Sequence, residues 1–132
     1  MENKVVSFQD LDVYKNLYQA MLKVSIKILP TLPKEERYGL IDQMRRACKA
    51  PLALLAEGYA QKNHKKEWRK YLFDAMGECN EMVVHLNCAK DLYEDSVNTQ
   101  LCQDSIEAYI IAGKQLYRLA QSWQQRLDQS RP

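Results

Sequence analysis

A long repeat of apolar residues in the middle of the chain constrains its fold more than any other feature. The repeat advances in strict steps of four and three, at Trp68, Leu72, Ala75, Cys79, Met82, Leu86, Ala89 and Tyr93. Such steps place side chains on one face of an α-helix, whereas a strand alternates at every second residue. The pattern predicts a long amphipathic helix that has Asn63 as its N-cap and ends near Asp95.

A second repeat of the same kind predicts another helix, from about Asn98 to Leu127. Its stripe consists of Ile106, Tyr109, Gly113, Leu116, Ala120, Trp123 and Leu127. A glycine on an apolar stripe leaves room for a neighbouring backbone. We therefore expect Gly113 to permit a close approach between two helices.

The first part of the chain predicts a helix from about Asp10 to Leu29, with Ser7 or Asp10 as its N-cap. One row of its residues is Leu11, Tyr14, Tyr18, Met21, Ser25 and Ile28, and a second row is Val13, Leu17, Ala20 and Val24. Two adjacent rows form the broad apolar face of a bundle helix. Pro30 and Pro33 end this helix, because proline cannot continue it.

A further helix is predicted from about Glu35 to Ala60, with inward side chains at Leu40, Met44, Ala47, Leu54 and Leu55. Gly39 is expected to leave its opening turns irregular. Pro51 lies within this span and lacks a backbone N–H, so a kink or local break is expected near Ala47. Gly58 is expected to terminate the helix.

These elements predict the fold class: all-α, an antiparallel up-down-up-down four-helix bundle with a kinked second helix. The bundle is one domain over residues 1–132, with 1–7 and 128–132 expected to be flexible. A composition of 46% hydrophobic and 27% charged residues excludes a disordered chain. Four glycines and four prolines are too few for the turns of a β-sandwich.

The apolar runs are shorter than the roughly 20 residues of a membrane-spanning helix, and the N-terminus lacks the apolar run of a secretory signal. We therefore expect a cytoplasmic protein with no membrane partner.

In that compartment thiols stay reduced. The four cysteines are Cys48, Cys79, Cys88 and Cys102. They are expected to be small buried side chains; Cys88 with His85 is the only pair with metal-ligand spacing, and no second pair completes a site.

Charge is segregated along the chain although the net charge is only +2. Residues 34–70 hold ten basic and five acidic residues, whereas 71–106 hold one basic and seven acidic residues. Basic residues at the start of the third helix, and Asp91, Glu94 and Asp95 at its end, both oppose the helix dipole, at a few tenths of a kcal/mol each. Charges placed against helix stability suggest an external partner.

Phosphate is the partner that such a helix start fits, because its N–H groups and flanking cations form an anion site. The alternative is an ordinary solvated face, partly neutralised by Glu36 and Glu67. The candidate nucleic-acid-binding residues are Arg45, Arg46, Lys49, Lys62, Lys65, Lys66, Arg69 and Lys70. The expected partner is the backbone of RNA or DNA.

No catalytic constellation is present in the sequence. There is no phosphate-binding glycine loop and no nucleophile elbow, and neither His64 nor His85 follows a glutamate at the spacing of di-iron bundles. We expect no enzyme, no metal and no cofactor.

A protein–protein scaffold is the alternative function, with Tyr59, Tyr71 or Tyr117 as surface anchors. Glu57 is either a surface acid or one half of a structural ion pair.

Four segments carry a family resemblance: FQDLDVYKNLYQA, LPKEERYGLIDQMRRACKAP, LAEGYAQKNHKKEWRKYLFDAMGECNEM and LNCAKDLY. The most specific residues are Tyr38, Gly39, Leu40, Gln43, Arg45, Arg46 and Ala47, followed by Ala56, Glu57 and Gly58. In this order the segments resemble the bacterial four-helix-bundle proteins encoded in intervening sequences of large-subunit ribosomal RNA genes. The likeness covers about Phe8 to Tyr93, and the fourth helix matches only in periodicity.

That family is similar to the accessory variability determinant of diversity-generating retroelements. The resemblance implies a barrel-shaped homopentamer without an enzymatic site. It also implies a nucleic-acid-binding basic surface and a reverse transcriptase as a partner. It places the basic positions of the family at Arg45, Arg46, Lys65, Lys66 and Arg69.

Overall fold

The computed structural model describes residues 4–129, with side chains as far as Trp123. This part of the chain contains four α-helices and no strand: α1 Asp12–Lys23, α2 Leu40–Tyr59, α3 Lys65–Leu92 and α4 Thr99–Gln129. The predicted all-α four-helix bundle is confirmed. None of the described helices is long and apolar enough to span a membrane.

The helices form a square in chain order. Each packs against its neighbours in sequence, and α1 also packs against α4. Short connections make consecutive helices antiparallel. The α1–α2 and α3–α4 connections therefore lie at one end of the bundle, and the α2–α3 connection lies at the other.

The repeats of α3 and α4 provide much of the core. All seven α3 positions from Trp68 to Ala89 are buried, and Tyr93 is half-buried. On α4, Ile106, Tyr109, Leu116 and Ala120 are buried. The side chain of Leu127 and residues 1–3 and 130–132 of the segments predicted to be flexible lie outside what the structure describes. Residues 128 and 129 of that second segment belong to α4.

On α1 the second predicted row is buried throughout, whereas the first row is buried only at its two ends, Leu11 and Ile28. Val13, Leu17, Ala20 and Val24 are buried, whereas Tyr14 and Met21 are half-buried and Tyr18 is exposed. The helix continues into a π-helical segment, Val24–Ile28, and a 3-10 turn, Leu29–Thr31.

Ser7 and Asp10 act together at the start of the chain, because they form a capping box around the 3-10 turn Phe8–Asp10. The amide N–H groups of Val6 and Ser7 both donate to Asp10 Oδ2 at 2.9 Å. This part of the predicted flexible segment 1–7 is thus hydrogen-bonded to the first turn.

The beginning of α2 departs from the predicted helix start at Glu35. Residues Lys34–Glu36 form a separate 3-10 turn, and the α-helix begins at Leu40. Glu36 Oε1 accepts a hydrogen bond from the Leu40 amide at 3.2 Å, so its carboxylate caps the new helix from the preceding turn. The irregular opening predicted from Gly39 is confirmed.

Pro51 does not interrupt α2. The helix is continuous from Leu40 to Tyr59 with Pro51 buried inside it. The predicted break near Ala47 was wrong, because tertiary packing on the buried face holds the helix together around one missing hydrogen bond. The kink stays a prediction.

Gly58, rather than Gly113, is the glycine at a close helix approach. A Cβ at Gly58 would lie 2.5 Å from Tyr71 Cβ and 2.8 Å from Trp68 Cε3, both on α3. A Cβ at Gly113 would have no neighbour within 4 Å. The predicted role of Gly113 was therefore wrong, and Gly58 lies buried inside α2 rather than beyond its end.

Candidate nucleic-acid interface

The α2–α3 connection is held by an aromatic cluster that joins three helices. The rings of Tyr59, Trp68 and Trp123 meet edge to face, with centroids 5.8–6.3 Å apart. The Trp123 indole Nε1 donates a hydrogen bond to the Lys62 carbonyl at 3.0 Å. The end of α4 thus fixes the position of the connection and of the cations that follow it.

Five candidate cations gather at this connection and on the first turns of α3: Lys62, Lys65, Lys66, Arg69 and Lys70. We call these five the turn patch. Lys66, Arg69 and Lys70 are exposed, and Lys62 and Lys65 are half-exposed. Positions 65, 66, 69 and 70 form one helix face because they are spaced by three or four residues.

Two cations of the turn patch lie against aromatic rings. Lys62 Nζ is 4.3 Å from the Tyr59 ring centroid, and Arg69 Cζ is 5.2 Å from that of Phe73. Within the described residues, no ion pair engages Lys66, Arg69 or Lys70. The charge of these three residues is therefore not neutralised by acids in direct contact among the described residues.

The start of α3 lacks the predicted cap. His64 is the N-cap residue, its side chain makes no capping hydrogen bond, and it is exposed as expected for a surface histidine. The prediction of Asn63 was wrong because the connection makes one more backbone turn, with the His64 amide donating to Gln61 O at 2.8 Å. The α3 dipole and the cations point to the same solvent region.

Arg45, Arg46 and Lys49 lie apart from the turn patch. All three are exposed on the first half of α2. The 13 residues from Arg46 to Tyr59 correspond to about 20 Å of helix. Arg46 Nη2 lies 2.9 Å from Asp42 Oδ2, and Arg45 Nη1 lies 4.0 Å from Asp42 Oδ1. The eight candidate residues are thus two groups at different heights of the bundle.

The acidic residues lie at the other end of α3 from the turn patch. Asp91, Glu94 and Asp95 are exposed in the last turn of α3 and the turn after it. Asp74, Glu78 and Glu81 lie between the two ends. Burial, together with the hydrogen bond and negative charge of Glu81, raises the pKa of the Glu78 carboxyl.

His85, which has metal-ligand spacing with Cys88 in the sequence, lies next to a glutamate. His85 Nε2 lies 3.2 Å from Glu81 Oε1, one turn before it on α3. Among the described residues, no three metal-ligating side chains come together.

The cysteines are largely as expected. Cys48, Cys79 and Cys102 are buried, while Cys88 is half-buried. Burial raises the pKa of the Cys79 thiol to about 12 and also raises the pKa of the Cys48 and Cys102 thiols. Cys48 Sγ and Ser25 Oγ lie 3.8 Å apart.

The proposed scaffold anchors are not all on the surface. Tyr59 belongs to the aromatic cluster, and Tyr71 is half-buried against Gly58. Only Tyr117 of the three is exposed, and Glu57 is an exposed acid.

Lys34, Arg37 and Tyr38 received no functional role from the sequence. They surround a surface groove together with Arg45 and Lys49. Tyr38 is 86% exposed, and Arg37 Cζ lies 5.7 Å from its ring centroid. Glu35 and Glu36 balance the charge of this segment, so charge counting did not single it out.

One family of known proteins is similar to this chain. The family model described as 23S rRNA-intervening sequence protein matches residues 9–107, which is more than half of the chain. The match continues past Tyr93 into the first turns of α4, where the motifs alone had shown only periodicity. A comparison with curated proteins finds no match.

Proposed function

Since this chain belongs to the family of 23S rRNA-intervening sequence proteins, we propose that it is a non-enzymatic homo-oligomer that binds the backbone of RNA or DNA through its turn patch. The observation that carries the proposal is the exposed, unpaired charge of Lys66, Arg69 and Lys70 at an uncapped helix start. Cations there oppose the α3 dipole, so they do not serve the helix itself. Phosphate groups would be stabilised by both the cations and the N–H groups.

Binding to phosphates has a distinctive salt dependence. Each neutralised phosphate releases counterions, so the logarithm of the binding constant falls with the logarithm of salt by about 0.7–0.9 per contact. Phosphate contacts carry little sequence information. We therefore expect affinity for mixed-sequence RNA or DNA that weakens steeply with salt.

The test is fluorescence anisotropy with labelled single- and double-stranded oligonucleotides over a range of salt concentrations. The test variant is Lys66→Glu/Arg69→Glu/Lys70→Glu. The control variant is Lys15→Glu/Lys27→Glu/Lys114→Glu, which changes the net charge equally at exposed positions outside the turn patch.

We expect the test variant to bind much more weakly at low salt, with its helical circular dichroism retained, and the control to keep most of its affinity. The salt slope should fall by about two to three units on loss of three phosphate contacts. An equal loss of affinity in both variants would show that binding depends only on the net charge of the protein. No binding by the wild type at low salt would refute the proposal.

The resemblance to the retroelement accessory protein extends the proposal to five subunits and to a reverse transcriptase as protein partner. Light-scattering mass measures the subunit number directly. A reverse-transcriptase gene beside the gene of this protein would support the partner, and co-purification of the two products would test it. The scaffold alternative predicts that a partner still binds after the turn-patch charges are reversed.

A further inference from the structure

A surface groove of about 900 Å³ lies on the α1–α2 side of the bundle. It is lined by the last turns of α1, the two connecting 3-10 turns and the first half of α2. Its apolar lining includes Met21, Leu29 and Ile41, and its cations are Lys34, Arg37, Arg45 and Lys49. No acidic residue lines it, and no residue of α3 or α4 contributes to it within the described part of the chain.

The charge of this groove is largely unneutralised. Among the described residues, Lys34, Arg37 and Lys49 make no ion pair. Of the acids close to these cations along the chain, Asp42 contacts Arg46 at 2.9 Å and Arg45 at 4.0 Å, and Glu36 accepts a hydrogen bond from Tyr93. Glu35 is exposed and makes no ion pair among the described residues. An apolar groove with unneutralised cations fits an acidic segment that presents an apolar side chain.

The chain itself carries such a segment at the end of α3. Leu92 is 67% exposed, and Asp91, Glu94 and Asp95 around it are exposed as well. We call these four residues the acidic corner. In the part of the chain that the structure describes, none of its three carboxylates makes an ion pair.

The groove and the acidic corner lie at the same end of the bundle but on different sides. The Tyr93 hydroxyl donates to Glu36 Oε2 at 2.6 Å, which joins the α3–α4 connection to the α1–α2 connection. The groove belongs to the α1–α2 side of the square and the corner to the α3–α4 side. Two copies placed side by side with parallel axes would bring one copy's corner to the other copy's groove.

We propose that the groove receives the acidic corner of a second copy of this chain. Leu92 enters the apolar lining, and Asp91, Glu94 and Asp95 face Lys34, Arg37, Arg45 and Lys49. Because the two surfaces differ, the contact is heterologous and repeats by rotation from one copy to the next. This inference rests on the homo-oligomeric part of the proposed function and leaves the turn patch, at the opposite end, free for nucleic acid.

The test measures the light-scattering mass of the full-length chain with reversed charges on either surface. The groove variant is Arg37→Glu/Lys49→Glu, and the corner variant is Glu94→Lys/Asp95→Lys. A third variant, Leu92→Lys, has a matched control in Val84→Lys, which also removes an exposed apolar side chain of α3 (59% exposed).

We expect the wild type to assemble at low salt and the groove, corner and Leu92→Lys variants to be monomers with native circular dichroism. Val84→Lys should keep the wild-type mass. A mixture of groove and corner variants should assemble, because the intact corner of one variant fits the intact groove of the other and their two reversed surfaces are complementary as well. A chain with both sets of reversals should assemble again.

A monomeric wild type, unchanged mass in both charge variants, or no assembly in the mixture would overturn this contact. Oligonucleotide binding is measured in parallel with the same variants. Loss of assembly with binding retained supports the separation of the two surfaces. If the turn-patch variant assembles normally but no longer binds oligonucleotides, this result also supports two separate surfaces. Loss of assembly alone therefore tests the groove contact, and loss of binding alone tests the turn patch.

Discussion

The hydroxyl of Tyr93 donates a hydrogen bond to Glu36 Oε2 at 2.6 Å, across the end of the bundle that carries the groove. The other oxygen of the same carboxylate accepts the Leu40 amide and so caps α2. One side chain thus connects the end of α3 to the beginning of α2. The bond lowers the pKa of Glu36 and is the main cause that raises the pKa of Tyr93 to about 12.

Tyr93→Phe removes this connection while keeping the ring. We expect a melting temperature lowered by a few degrees, because the carboxylate loses its charge-assisted partner. Thermal unfolding followed by circular dichroism measures the change. Tyr38→Phe is the control, since Tyr38 is highly exposed, and it should melt with the wild type. A Tyr93→Phe protein as stable as that control would contradict the inferred role of the bond.

The contribution of Glu36 to the stability of the fold is expected to decrease at acidic pH. A carboxyl whose folded pKa is lowered contributes stability above its unfolded pKa, near 4.5, and loses it as pH falls through the folded value. The difference in melting temperature between wild type and Tyr93→Phe should therefore be constant at neutral pH and shrink below about pH 4.5. A difference that grows on acidification would show that another group dominates.

The four thiols should differ in reactivity because of their burial. Cys88 is half-buried, whereas burial raises the pKa of Cys79 to about 12, so few Cys79 thiolates exist near neutral pH. Iodoacetamide should modify Cys88 first and Cys79 only as the protein unfolds in urea. Peptide mass spectrometry after timed labelling distinguishes the sites. Equal rates at Cys79 and Cys88 in native buffer would contradict the packing described for α3.

The periodic parts of the sequence predicted the fold, and the parts without a period did not. The α3 repeat determined its buried face because every third or fourth residue had to meet a neighbouring helix. On α1, two adjacent rows were both apolar, and only the position of the neighbours decided that Leu17 is buried while Tyr18 is exposed. Caps and connections depended on contacts between distant residues, such as Trp123 with Lys62 and Tyr93 with Glu36.

The sequence indicated which cations are candidates for the site, but it did not indicate how they are arranged in space. The turn patch follows from residues that are adjacent in sequence. Arg45, Arg46 and Lys49 belong to the same basic stretch of the sequence but lie about 15–21 Å from the end of α2, because each residue adds about 1.5 Å to a helix. The groove combines α1, the connection and α2, so no single segment indicated it.

Tyr109 provides a contrast to Tyr93, because its buried hydroxyl has no hydrogen-bond partner among the described residues. Burial raises its pKa, which favours the neutral phenol. Tyr109→Phe removes a desolvated polar group and keeps the packed ring. We expect the free energy of unfolding to stay the same or rise by about 1 kcal/mol in urea titrations. A clear loss of stability would indicate a bound partner, such as a buried water.

Gly58 and Gly113 give opposite predictions for the same substitution. A methyl group at Gly58 would lie 2.5 Å from Tyr71 Cβ, an atom next to the α3 backbone, so α2 and α3 would have to separate. We expect Gly58→Ala to lower the free energy of unfolding by about 1–3 kcal/mol. Gly113→Ala meets nothing within 4 Å and should raise it by about 0.5–1 kcal/mol, as alanine favours a helix interior. Urea unfolding of both variants and the wild type measures the change in the free energy of unfolding for each substitution. Changes of the same sign would contradict the close approach of α2 and α3 at Gly58.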